Sequence, residues 1–159
     1  MSYKKILECL WLCLQSIVWP AQSYSQRFYD NHIYDEGIHG IKVALSQAPC
    51  APLVLDLNGN QYFTISFDDL NDQLRDLKYT FIHCTFDWKQ PSDLQKSEYL
   101  SGFEEGFIQD YQLSMNSLQH YITYSFTFPN EEMRPLVSGN YLLCVYEDES
   151  QPLFTYRLM

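Results

Sequence analysis

The 159 residues suffice for one domain with a substantial core and fall short of two. A hydrophobic content of 46% excludes a disordered chain, and a net charge of −10 is the wrong sign for binding nucleic acid through its phosphates. The 13 Tyr and 10 Phe suit pleated, half-buried surfaces and therefore favour β structure.

In chain order, the first segment differs from the rest. "MSYKK" is a basic head, "ILECLWLCLQSIVW" an apolar centre and "PAQSYS" a small polar tail. This is the three-part pattern of a secretory signal peptide, predicted to be residues 1–25 with cleavage close to Ser25–Gln26. The apolar run is shorter than the ~20 residues a membrane span needs. Neither Cys9 nor Cys13 follows the small residue of a lipoprotein signal. Removing Lys4, Lys5 and Glu8 would take the net charge to −11. Export implies an oxidising compartment, yet Cys50, Cys84 and Cys144 are an odd number, so at least one stays unpaired. No Cys or His pair has zinc spacing, and no cofactor or metal is expected.

Ile41, Val43 and Leu45 alternate with Lys42, Ala44 and Ser46, which predicts a short strand with one buried face. "LVLDL" is predicted as a second strand, with Asn58-Gly59 as a hairpin turn and "QYFTISF" as its partner. "DDLNDQLRDLKY" is too rich in Asp and Asn for a helix and reads as a turn. The strand "YTFIHCTF" follows. It places Thr80, Ile82, Cys84 and Phe86 on one face and Tyr79, Phe81, His83 and Thr85 on the other, so it is expected to be central and covered on both sides. From Asp87 to Asp110 the alternation dissolves into a long polar tract dotted with single aromatics; loops of that length are uncommon and often functional. Tyr111, Leu113 and Met115 alternate again, "YITYSFTF" and "YLLCVYE" are clean strands, and "LFTYRLM" closes the chain. Short strands separated by turn signals predict an all-β antiparallel sandwich, immunoglobulin-like in kind, over residues 26–159. The expected core includes Ile41, Val43, Phe63, Ile65, Ile82, Ile122, Phe126, Leu143 and Val145.

Candidate chemistry is sparse. His83 and Cys84 are neighbours on a strand and point to opposite faces, so they cannot act as a nucleophile and its base. Cys84 is expected to be a buried, inert thiol and His83 a half-buried imidazole within the packing. Asp68–Asp69, Glu104–Glu105 and Glu131–Glu132 read as solvated turn positions, and no catalytic residue is assigned. The aromatics of the long tract, Trp88, Tyr99, Phe103 and Phe107, have two readings. They cap the edge of the sandwich, or they anchor a partner, since aromatics are enriched in interfaces.

"ISFDDL" (65–70), "YTFIHC.FDW" (79–88), "PSDL..SEYLSGF" (91–103), "YSFTFPNE.MR" (124–134) and "SGNYLLCVYED" (138–148) occur in this order. Together they resemble the first domain of the plug protein of the type IX secretion system. The resemblance runs from about Tyr29 onward. It implies an exported, β-rich, non-enzymatic protein that binds an outer-membrane translocon and occludes its periplasmic side, with no catalytic residues to carry over. Plug proteins of this kind continue well beyond the first domain, so a chain ending at Met159 is expected to be a fragment or a short variant. The alternative is an exported β-sandwich module for a glycan or protein ligand, with Trp88 and Tyr99 as stacking platforms.

Overall fold

A computed structural model describes residues 29–48, 51–71, 73–148 and 151–159. The expected signal peptide, and Cys50 with it, lie outside the described residues. Eleven strands and one helical turn are described. They are β1 (His32–Ile33), β2 (Ile38–Leu45), β3 (Phe63–Asp69), β4 (Lys78–Cys84), α1 (Lys96–Tyr99), β5 (Leu100–Gly102), β6 (Gly106–Phe107), β7 (Asp110–Leu113), β8 (Ile122–Phe128), β9 (Met133–Pro135), β10 (Asn140–Asp148) and β11 (Gln151–Leu158).

Two sheets face each other. One has the order β1-β11-β10-β4-β6 and the other β2-β3-β8-β7, while β5 and β9 form a separate two-stranded ribbon. Every pairing is antiparallel, so the fold is the expected all-β sandwich. Period-2 alternation explains the layering. Ile122, Tyr124, Phe126 and Phe128 of β8 are all buried, while the residues between them are half-buried or exposed. Three ring pairs bridge the sheets. Tyr79 stacks on Phe126 at 4.2 Å, Phe81 stacks on Phe128 at 3.7 Å, and Phe67 meets Phe154 edge-on at 5.0 Å. Such pairs each add about 0.5–1.5 kcal/mol beyond the area they bury.

Strand β4 is covered on both faces, as its two apolar faces predict. Tyr79 and Phe81 enter the core, while Thr80 and Cys84 are buried on the other side. The strand ends at Cys84, however, and Phe86 is 92% exposed in the turn that follows. The Thr85 N–H bonds to Gln90 O and the Trp88 N–H to Thr85 O, and this turn carries Phe86 off the sheet.

Other expectations need correction. Ile82 lies on the outer face of its sheet, half-buried and outside the core cluster; Ile41 and Val43 pack only partly against that cluster. Residues 53–57 form no strand. Strand β3 has β2 on one side and β8 on the other, so neither edge is left for them. They lie against the chain end instead, with the Leu55 N–H donating to Met159 O and the Met159 N–H to Leu53 O. Gly59 still closes a turn onto Asp56 O, but no hairpin of strands flanks it. The Asp68–Asp69 pair is not a solvated turn either. Asp69 is fully buried and meets Arg75 Nη1 at 3.3 Å, while its Oδ1 accepts from the Asn71 N–H and side-chain amide.

Candidate interaction surface

The excursion between β4 and β7 holds all four candidate aromatics, and its backbone explains where each one goes. A bridge between Cys84 and Pro91 closes the first turn. A capping box at Gln95 and Glu98 then starts α1, with the Gln95 N–H donating to Glu98 Oε2 at 2.6 Å. The chain continues as β5, which pairs with β9 from Leu100↔Pro135 to Gly102↔Met133. Gly102 is required there. Its φ is +95°, and a Cβ would collide with Glu132 O. Strand β6 then pairs with the beginning of β4, where the Tyr79 ring lies over Gly106.

The four aromatics do not form one patch. Tyr99 is buried; its hydroxyl donates to Phe81 O at 3.2 Å, and its main-chain carbonyl accepts from Tyr141 Oη. It caps the edge of the sandwich, the first of its two readings. Trp88 is half-buried, with the Arg157 guanidinium 4.8 Å from its ring centre on one face. Phe103 and Phe107 are exposed. Trp88 follows the Cys84 end of β4 and Phe107 pairs beside Lys78 at the other end. Strand geometry separates those ends by about 20 Å. Lys78 Nζ lies 5.3 Å from the Phe107 ring centre and 3.6 Å from Glu105, which surrounds this aromatic with charge.

The titratable groups nearby are held in place by the packing. His83 hydrogen-bonds through Nδ1 to Ser92 Oγ at 2.8 Å and packs against the rings of Tyr99 and Tyr141. Cys84 is buried, and burial pushes its thiol up to about 11. Burial likewise pushes the Tyr141 hydroxyl up to about 12, although it donates to Val137 O at 2.7 Å. Among the described residues, no three His, Cys, Asp or Glu side chains are grouped to hold a metal ion. No described helix is long and apolar enough to cross a membrane.

Several exposed apolar residues were not singled out from the sequence as contact candidates. Phe86, Leu113, Met115 and Leu118 all project into solvent. A sequence signal for the last three existed. Residues 111–130 contain no Asp, Glu, Lys or Arg, in a chain where 19% of residues are charged.

Comparison with known proteins places this architecture. A family model described as "Type 9 secretion system plug protein 1st domain" matches residues 38–159. The crystal structure of a hypothetical protein from Parabacteroides merdae superposes with a TM-score of 0.76 at 28% sequence identity, covering 81% of this chain. The match takes up 33% of that protein's chain, so the present chain corresponds to about a third of its length. No curated protein matches the chain.

Proposed function

The chain belongs to the family of the type 9 secretion system plug protein 1st domain, and on that premise we propose that it is a non-enzymatic component of the type IX secretion machinery that binds the outer-membrane translocon and occludes its periplasmic side. The observation that carries this reading is the family match, which extends over residues 38–159 and so spans nearly all of the sandwich. Occlusion needs a rigid body with a contact surface and no reacting group. A sandwich locked by cross-sheet ring pairs supplies the rigidity. A net charge of −10 favours a neutral or basic mouth, and such complementarity acts mainly on association rate and specificity. Phe103 and Phe107, exposed among charged neighbours, and Trp88, with one face under Arg157, are the contacts we assign to the excursion. Tyr99 supports them from within the core.

In the same reading, residues 1–25 are an export signal removed close to Ser25–Gln26, and residues 26–159 work in the periplasm at the outer membrane. Intact-mass measurement on protein from the native host decides the first point, since a mass that retains Met1 through Ser25 excludes cleavage. For the function itself, the full chain is tagged and the outer-membrane translocon is purified with and without an engaged substrate. The chain is expected on the idle translocon and absent from the engaged one. An idle translocon that carries none of it overturns the proposal.

A further inference from the structure

Strand β7 is an edge of its sheet, paired with β8 on one side only. The pairs run Asp110↔Ser125, Tyr111↔Tyr124, Gln112↔Thr123 and Leu113↔Ile122. The Ser114 N–H donates to Tyr121 O, which makes Ser114 a hydrogen-bonded position. Antiparallel ladders alternate, so Gln112 and Asp110 bond to β8 as well. The main-chain groups of Tyr111 and Leu113 therefore point away from the sheet, towards solvent.

Proteins usually guard such edges with short strands, bulges or charge. The other three edges of the two facing sheets follow that rule. Strands β1 and β6 are two residues long, and β2 carries a bulge between His39 and Lys42 with Gly40 at φ +59°. Strand β7 is twice the length of β1 or β6, has no bulge in its pairing with β8, and from Tyr111 onward carries no charge. Its side chains Tyr111 and Leu113 are exposed, and the hairpin tip presents Met115 and Leu118. That tip is itself ordered by hydrogen bonds, with Ser114 Oγ accepting from the Tyr121 N–H and from Ser117 Oγ. Beside the strand lies a hollow of about 620 Å³ whose wall is apolar at Leu77, Phe107, Ile108 and Tyr111 and charged at Arg75, Asp76 and Lys78.

We propose that β7 is a docking edge, where an extended, uncharged segment of the translocon adds a strand to the sheet. The added strand hydrogen-bonds to the main chain of Tyr111 and Leu113 and sets an apolar side chain into the adjoining hollow. This is recognition by strand addition, in which the ladder supplies affinity and the pockets supply specificity. Charge selects the occupant. Along the edge itself, the uncharged run 111–130 offers no counter-charge to a charged strand, and a net charge of −10 on each copy disfavours self-association. In naming the translocon, the inference rests on the function proposed above.

Amide hydrogen exchange of the full chain is measured alone, with purified translocon, and with the synthetic peptide Ac-TVTVTVT-NH2 as a minimal uncharged strand. Tyr111 and Leu113 should exchange fast in the free chain and slow at least tenfold with either ligand, while Gln112 and Ser114 are already slow. Leu113→Pro removes the outward N–H without touching the β8 ladder, and Leu113→Lys restores an edge charge should the proline variant not fold. Each should weaken both complexes at least tenfold. A translocon complex in which Tyr111 and Leu113 still exchange fast overturns the docking edge and leaves the proposed function standing. A translocon that does not bind the wild-type chain overturns the assigned occupant along with that function; the peptide then decides the edge alone, and an unprotected edge overturns it. Protection that grows with the chain's own concentration and tracks a dimer overturns the choice of partner.

Discussion

Arg75 and Asp69, six residues apart, form an ion pair of 3.3 Å in which the carboxylate side chain is wholly buried. The same guanidinium reaches Asp35 before β2 and Glu147 in β10, both at 2.9 Å. The Arg75 N–H also donates to Tyr124 Oη at 2.9 Å. One residue of an irregular connection thus ties together both sheets. Arg75→Gln is expected to destabilise the domain by about 3 kcal/mol, because it leaves Asp69 buried without its counter-charge. Urea midpoints of Arg75→Gln, Asp69→Asn and the double variant test this. Strictly additive losses would rule out the coupling.

The same network predicts an acid response. The Gly37 N–H and the Arg75 guanidinium hold the Asp35 carboxyl below its ordinary value of 3.8. A depressed carboxylate stabilises the fold above the unfolded-state value, and that contribution is lost as pH falls through the lower folded-state value. Stability should therefore decline from just under pH 4 downward, and Asp35→Asn should flatten part of that decline. An unchanged acid limb in the variant would exclude Asp35 as a contributor.

Phe126 stacks on Tyr79 across the sandwich at 4.2 Å and is buried. Phe126→Ala should cost about 3–5 kcal/mol through lost burial and the cavity left behind. A denaturation midpoint within error of the wild type would show that the site collapses or was never packed.

Within the excursion, Tyr99 and Phe103 should behave oppositely. Tyr99→Ala removes a buried ring and its hydroxyl bond to Phe81 O, and is expected to cost about 3 kcal/mol. Phe103→Ala removes an exposed ring and should change stability by less than about 0.5 kcal/mol. Thermal melts of both variants make the comparison. Equal losses would contradict the division of these aromatics between core and surface.

Cys84 should resist thiol reagents in the native protein. It is buried and its thiol is pushed up to about 11, so at pH 8 only on the order of one molecule in a thousand carries the thiolate. Cys144 does not reach it. Cys84 pairs with Asn140 and Cys144 with Thr80, an offset of four residues, or about 13 Å along the strands. That exceeds the span of a disulfide. Rapid native-state labelling of Cys84, or a peptide map containing a Cys84–Cys144 link, would refute these statements.

By itself the sequence determined the sandwich class and the strands β4, β8, β10 and β11, because alternation with period 2 is a local property. Residues 122–128 place a large apolar side chain at every second position, and no distant contact is needed to read which side is buried. It also showed both faces of β4 to be apolar, and so that the strand is covered twice. Only the tertiary structure decided which segments found a partner. "LVLDL" has strand composition yet forms none, because β2 and β8 already occupy both edges of β3. Asp69 looks like a surface turn until Arg75, arriving from the next connection, makes its burial possible. Trp88, Tyr99, Phe103 and Phe107 are alike in sequence context. Their separation into core and surface follows from where α1, β5 and β6 dock, a matter of long-range pairing that residue order does not encode locally. The unguarded edge at β7 is of the same kind, since a strand becomes an edge only when every other strand has been placed.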